Sequence, residues 1–178
     1  TMAGVYVPEI NGLGRYPRIT RSTNGGATWT KNPIDMPSSS SDQLRVLLTP
    51  GFLNFAHPGG RWPGPAPEVV LHRSTDLGDS WKDSTVLSTI DGEGSDMPEL
   101  QGWEDGAGNT RIAILWRDTK YGASDFTASI IARLSHNNGT SWEPEQVLTD
   151  TPLAVRQKLA LYDNIAAAAW KYGGFFPP

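Results

Sequence analysis

The chain has 178 residues, a mass of 19.3 kDa and no cysteine, which excludes a disulfide framework, a thiol nucleophile and a cysteine-type zinc site. Its net charge of −4 argues against nucleic acid as a partner, and no apolar run approaches the roughly 20 residues that a membrane helix needs. The content of 19 glycines and 14 prolines favours short strands and tight turns over long helices.

Strands are predicted in groups along the chain, separated by links rich in proline, glycine and serine. The first group has strands near 4–8, 15–21 and 28–33. The second has strands near 44–49, 52–56, 67–73 and 81–88, and the third near 98–103, 111–117, 127–134 and 142–148. The alanine-rich tail could form a helix, but its spacing favours two further strands, 159–162 and 165–170.

Three segments share the pattern Ser-x-Asp/Asn-x-Gly-x-Ser/Thr-Trp, and they end at Trp29, Trp81 and Trp142, which are 52 and 61 residues apart. An Asp or Asn two residues after Ser can bind nearby backbone N–H groups, and Gly supplies a positive φ. Each copy follows an apolar run, so each is predicted to be a hairpin turn whose closing Trp begins the next strand. A repeat of this length suits one four-stranded propeller blade per copy.

These segments resemble the Asp boxes, or BNR repeats, of sialidases and other propeller glycosidases, and the resemblance spans about residues 15–148. It implies an all-β fold, a β-propeller with four-stranded blades, of which about three are present from an expected six-bladed ring. The blade-like units are expected at about 1–35, 44–90 and 96–148, with 151–178 starting a further blade. In that family the boxes lie on outer turns away from the active site and are structural.

Three blades and a stub cannot close a ring, and open blade edges expose unpaired backbone groups. We therefore expect either that the chain is a fragment whose second half is missing, or that a homodimer completes the propeller.

The segment from Asp96 to Arg117 resembles the part of sialidases that carries a catalytic Glu on one inner strand and an Arg on the following one. Glu99 and Arg117 are the matching positions. In that family the Glu activates a tyrosine nucleophile, because a phenol is protonated at neutral pH and needs a nearby base. The Arg belongs to a triad that clamps the substrate carboxylate, a role that suits the guanidinium fork. An ordinary ion pair or a turn cap is the structural alternative for both residues.

Three further candidates lie in the first half of the chain. Arg18, within Tyr16-Pro17-Arg18, matches the first Arg of the triad, although its short distance to the first Asp box places it on an outer strand. Asp42 is the best-placed candidate for the acid/base Asp, with a plain turn residue as the alternative. Trp62, on a Pro/Gly-rich loop, is a candidate for stacking on a sugar or for anchoring the loop.

Two candidates lie in the tail, where Arg156 and Tyr162 are the nominal third Arg and nucleophile. Their separation of six residues is shorter than the family order requires, and Tyr172 is no better supported. The three histidines share no metal-ligand spacing, so neither a metal nor another cofactor is expected.

The leading interpretation is a sialidase-like glycoside hydrolase that cleaves a terminal, acidic sugar from a glycan or glycoconjugate with retention, using a Tyr/Glu pair and an Arg clamp. The Tyr16-Pro17-Arg18 stretch suits a propeller exo-arabinanase as well. The alternatives are a carbohydrate-binding propeller lectin without catalysis and a receptor-type or scaffold propeller. No signal peptide is visible before the first strand; a processed chain would look the same, and we expect a secreted location.

Overall fold

A computed structural model describes residues 2–6, 9–10, 14–15, 18–30, 34–35, 43–59, 66–81, 83–121, 128–149 and 154–172. All regular structure in these ranges is β-strand, so the predicted all-β class is confirmed. Across the same ranges no helix is long and apolar enough to cross a membrane.

Within these ranges the strands are β1 (Met2–Tyr6), β2 (Glu9–Ile10), β3 (Gly14–Arg15), β4 (Arg18–Ser22), β5 (Ile34–Asp35), β6 (Arg45–Thr49), β7 (Phe52–Gly59), β8 (Glu68–Ser74), β9 (Asp83–Val86), β10 (Ser95–Glu104), β11 (Thr110–Asp118), β12 (Ser129–Ser135), β13 (Gln146–Val147), β14 (Ala154–Tyr162) and β15 (Ile165–Tyr172).

The strands pair as successive antiparallel sheets, which we name blades 1 to 4. Blade 1 has the order β1-β4-β5, blade 2 the order β6-β7-β8-β9, blade 3 the order β10-β11-β12-β13, and blade 4 is the hairpin β14-β15. Strands β2 and β3 form a separate hairpin that the sequence pattern did not predict. Blades 2 and 3 are thus complete four-stranded meanders, as a propeller requires.

The first strands of the four blades, β1, β6, β10 and β14, are neighbours in space. Strand β6 contacts both β1 and β10, and β10 in turn contacts β14. We call these four the inner strands, because a propeller arranges the first strand of each blade around its central channel.

The core lies between the blades, because both faces of each sheet are covered. Along β11, Ile112, Ile114 and Trp116 face blade 2, whereas Ala113 and Leu115 face blade 4. A strand that is buried on both faces has no polar side to show, which explains the unbroken apolar run in this part of the sequence. The blade 1–blade 2 interface is built from Ile19, Leu44, Leu53 and Phe55.

Each of the three repeat turns is held by the same hydrogen bonds. In blade 2 the buried Ser74 Oγ accepts from Gly78 N at 2.7 Å and donates to Asp76 Oδ1 at 2.7 Å. Asp76 Oδ1 also accepts from Ser80 N at 2.8 Å. The equivalent bonds recur around Ser22 and Ser135. The glycine four residues after each turn serine has a positive φ, which is 94° at Gly78.

Arginines link each blade to the turn of the next. Arg21 of blade 1 donates to the Leu77 carbonyl of the blade 2 turn at 2.9 Å, and Arg73 of blade 2 approaches Thr140 Oγ1 of the blade 3 turn at 3.4 Å. Arg133 lies one residue further from its turn serine, so its side chain is on the opposite face of the strand. It donates backward, to the Leu87 carbonyl of blade 2.

Several predicted boundaries were wrong. The repeat tryptophans do not begin strands, because residues 28–30, 80–81 and 140–145 carry no ladder pairing and the outer strands start later, at Ile34, Asp83 and Gln146. The hydrogen bonds that close each turn hold these segments off the ladder. The alanine-rich tail does form the two predicted strands, β14 and β15, and its helical alternative is overturned.

Candidate functional site

Three charged side chains from neighbouring inner strands meet. Arg45 is the first residue of β6, Glu99 is the fifth of the ten residues of β10, and Lys158 is the fifth of the nine residues of β14. Arg45 Nη2 and Lys158 Nζ each lie 2.6 Å from Glu99 Oε1. We call this group the charged triad. It spans three successive blades, so only the assembled propeller creates it.

Two matching β-bulges place Glu99 and Lys158 at this level. On β10 the pairing with β11 is regular to Asp96 and resumes at Glu99, with one extra residue on β10. On β14 the pairing with β15 is regular to Val155 and resumes at Lys158, again with one extra residue. Bulges re-aim side chains next to functional sites, and here each directs a charged residue toward the neighbouring inner strand.

Both bulges contain a residue other than glycine in the left-handed region. Met97 has a φ of 52° and Arg156 a φ of 56°. A side chain with a Cβ is disfavoured there, and the residue before a proline is normally extended, so Met97 before Pro98 is doubly unusual. Backbone of this kind persists only where the surroundings hold it.

The charged triad keeps Glu99 ionised. Its side chain is 11% exposed, and burial alone would raise the pKa of its carboxyl group. The hydrogen bonds and the positive charges of Arg45 and Lys158 outweigh burial and hold that pKa below its usual value. Both cations contact Oε1, and the described residues supply no hydrogen-bond partner for Oε2. A buried carboxylate with one occupied and one available oxygen is suited to accept a proton or to attack an electrophile.

The Arg117 guanidinium, predicted to clamp a substrate, binds a carboxylate of its own chain. Its Nε and Nη2 lie 2.6 Å from the two oxygens of Asp96. The structural alternative given for Arg117, an ion pair, is therefore what the structure shows. The pair lies beside the β10 bulge and next to Glu99 in the sheet.

The structure does not bring Tyr162 to Glu99. Tyr162 is the last residue of β14, four residues beyond Lys158, which is roughly 13 Å along a strand. Its side chain is 71% exposed, and its ring contacts Trp103 with a centroid separation of 5.8 Å. Tyr162 lies four residues along β14 from Lys158, and this separation does not fit a nucleophile that Glu99 activates.

The other predicted residues have varied positions. Arg18 opens β4, which is the middle strand of blade 1 and not an outer strand. Arg156 is exposed and lies in the β14 bulge, beside the charged triad. Asp42, Trp62 and the side chain of Tyr172 lie outside the described residues.

Sequence reasoning missed Arg45 and Lys158. Arg45 is the first residue of β6 and Lys158 lies in the middle of β14, and neither belongs to a sequence motif. The signal that could have found them is positional, because both lie on the first strand of a blade, and these strands surround the central channel of a propeller. A groove of about 220 Å³ between blade 3 and blade 4 is lined mostly by Ala and Leu and does not include the charged triad. Among the described residues, no group of three or more His, Asp or Glu could hold a metal ion.

The sheets and their inner strands define the chain as part of a β-propeller. The fold is similar to the α-L-arabinanase of Penicillium chrysogenum solved with arabinobiose, with a TM-score of 0.56 and 16% sequence identity. The similarity covers 82% of this chain and 44% of the arabinanase chain, so this chain spans less than half the length of that enzyme. Sequence searches match no protein-family model and no curated protein.

Proposed function

We propose that this chain contributes the catalytic carboxylate of a propeller glycoside hydrolase, and that this carboxylate is Glu99. The observation that carries the proposal is the charged triad on the inner strands: a largely buried, ionised Glu with two cations at Oε1 and no hydrogen-bond partner for Oε2 among the described residues. A carboxylate of lowered pKa serves as a base or nucleophile in glycoside hydrolysis, whereas the general acid needs a raised one.

The excess of positive charge at the charged triad favours an acidic sugar as the substrate. Arg45 and Lys158 carry two positive charges against the single negative charge of Glu99, and the exposed Arg156 is two residues from Lys158 in the chain. An excess of positive charge attracts an anionic ligand, since fixed charges in a cleft raise the local concentration of the opposite ion. This supports the sialidase-like reading, in which Glu99 takes the proton of a tyrosine hydroxyl as that oxygen attacks the anomeric carbon and the leaving group departs.

A second candidate, an exo-arabinanase, is favoured by the similarity in fold to an arabinanase solved with arabinobiose. Glu99 would serve this reaction as well, because a retaining glycosidase needs a carboxylate that is ionised in the resting enzyme. The positive charge at the charged triad would then have no anionic substrate group to bind. The two candidates therefore differ in whether the substrate must carry a carboxylate.

The test compares the wild-type protein with Glu99→Gln, which removes the charge and keeps the shape. We expect release of the aryl alcohol from an aryl sialoside by the wild type and a loss of about 10³-fold in kcat for the variant. Glu104→Gln, at the exposed far end of the same strand, is the matched control and should keep full activity.

Arabinan hydrolysis without sialoside hydrolysis, abolished by Glu99→Gln, would replace the first candidate with the second. Glycan binding without turnover of either substrate would overturn the hydrolase proposal and leave the lectin reading. Full activity of Glu99→Gln would exclude Glu99 as the catalytic carboxylate.

A further inference from the structure

Two side-chain amides form hydrogen bonds with the backbone N–H and carbonyl groups of Met97. Met97 N donates to Gln43 Oε1 at 2.7 Å, and the Met97 carbonyl accepts from Gln157 Nε2. Gln43 lies just before β6 and Gln157 lies in β14, so these two hydrogen bonds join the same three blades as the charged triad.

These two bonds hold the residue that the chain would otherwise not place in this conformation. Met97 is a left-handed residue that precedes a proline, and both properties disfavour its conformation. The extra residue at this bulge determines the side of β10 on which Glu99 emerges. A slip of one residue would exchange Glu99 for a neighbour, because side chains alternate between the two faces of a strand.

Gln157 is retained at a cost. It is 2% exposed, and within the described residues its Oε1 has no hydrogen-bond partner. A buried acceptor without a partner is unfavourable, and an apolar side chain of similar volume would fill the same space without that penalty. What the amide provides in return is its Nε2 bond to Met97, which an apolar side chain cannot make.

We propose that Gln157 and Gln43 are positioning residues that hold the Met97 bulge and so aim Glu99 at Arg45 and Lys158. The inference rests on the proposed function for its effect on the reaction, but not for its effect on the structure of the bulge. Gln157 is adjacent to Lys158 in sequence, so one stretch of β14 supplies both a cation to Glu99 and the support for its backbone.

The experiment uses Gln157→Leu in the full chain, because leucine keeps the apolar volume and removes both the donor and the unsatisfied oxygen. We expect kcat to fall by about 30-fold with KM changed less than threefold, since misplacing a reacting group by about 1 Å costs this much or more. The acid limb of the pH–rate profile should move to higher pH as Glu99 loses its contacts with the two cations. The melting temperature should stay within a few degrees of the wild type. Gln146→Leu, at an exposed position on β13, is the control.

A second readout does not need activity. Hydrogen exchange at the Met97 amide should accelerate in Gln43→Leu and in Gln157→Leu, and the titration of the Glu99 carboxyl, followed by NMR, should shift upward in Gln157→Leu. The two variants act on one bulge, so their effects on kcat should be clearly less than additive.

The outcomes separate this inference from the proposed function. If Glu99→Gln abolishes hydrolysis while Gln157→Leu leaves kcat, the pH profile, Met97 exchange and the Glu99 titration unchanged, the positioning role is overturned and the proposed function stands. If Glu99→Gln has no effect on hydrolysis but Met97 exchange and the Glu99 titration both respond in Gln157→Leu, the bulge is held as inferred and the proposed function fails.

Discussion

Arg117 and Asp96 face each other across β11 and β10 and form two parallel hydrogen bonds, each 2.6 Å long. Both side chains are about one-fifth exposed. Asp96 is the last regularly paired residue before the β10 bulge, so the pair anchors the strand at the point from which it must leave the ladder. The sequence resemblance predicts that the Arg117 guanidinium binds a substrate carboxylate, whereas in the structure it binds the carboxylate of Asp96.

Substituting Arg117→Met should therefore act on stability. The variant leaves the Asp96 carboxylate without its partner in a mostly buried place, and we expect the free energy of unfolding to fall by about 2 kcal/mol in urea denaturation. Adding Asp96→Asn should recover part of the loss. An unchanged midpoint together with a KM raised more than tenfold would instead restore the substrate-clamp role.

The repeat turns predict an asymmetry between two serines of one turn. Ser74→Ala removes the buried oxygen that accepts from Gly78 N, and we expect a loss of about 2 kcal/mol because a buried N–H is left unpaired. Ser80→Ala, whose bonds lie at the exposed side of the same turn, should cost less than about 1 kcal/mol. Thermal or urea unfolding of the two variants measures the difference, and equal losses would contradict the assignment.

The charged triad predicts a pH dependence. Because Arg45 and Lys158 lower the pKa of Glu99 in the folded protein, their contribution to stability is present above the pKa of the unfolded chain and is lost as pH falls through the folded pKa. Arg45→Met should raise the pKa of Glu99 and move the acid limb of kcat/KM to higher pH. Arg111→Met, which removes a cation bound to the Asp163 carbonyl rather than to Glu99, should leave the limb in place. An unmoved limb in Arg45→Met would show that Arg45 does not control Glu99.

A histidine pair in blade 2, of which His57 is buried and His72 half-buried, predicts a second pH effect, because burial disfavours the charged form of a histidine ring. His57 and His72 stack with a centroid separation of 5.0 Å, and their Nε2 atoms are 2.9 Å apart. Burial, with a smaller contribution from the neighbouring His57, lowers the pKa of His72 to about 4. The unfolded chain then binds more protons than the folded one below the ordinary histidine pKa, so stability should fall as pH drops from near 6.5 toward 4.

Measurements of unfolding free energy at pH 7.5 and pH 5 test this effect. The wild type should lose stability between the two values, and His72→Gln should lose less, because the glutamine side chain does not titrate. NMR titration should place the His72 midpoint near 4. A midpoint near 6.5 would contradict the burial of this ring.

The fold was predictable because its signals are local. A turn such as 74–81 is determined by bonds between residues two and four positions apart, so its pattern is legible in a single sequence. The outer strands were predicted too early for the same reason: the pattern shows where a turn is, but not where the ladder resumes after it.

The site was only partly predictable. Glu99 was found through its resemblance to a motif, whereas Arg45 and Lys158 are 54 and 59 residues away and meet it only when three blades assemble. The bulge at Met97 has no glycine to announce its positive φ, and its support comes from Gln43 and Gln157 on other blades. Tyr162 was misplaced because sequence spacing carries no information about the level of a residue along an inner strand.

Three arginines each bind the turn of the following blade, whereas Arg133 donates back to blade 2. Arg21 acts on the blade that follows it, Arg73 on the blade after that, and Arg111 donates to the Asp163 carbonyl in the hairpin turn of blade 4. Such contacts couple nearest neighbours, as in a one-dimensional array. Disruption of one turn should therefore destabilise the outer part of an adjacent blade before it affects any blade further along the chain.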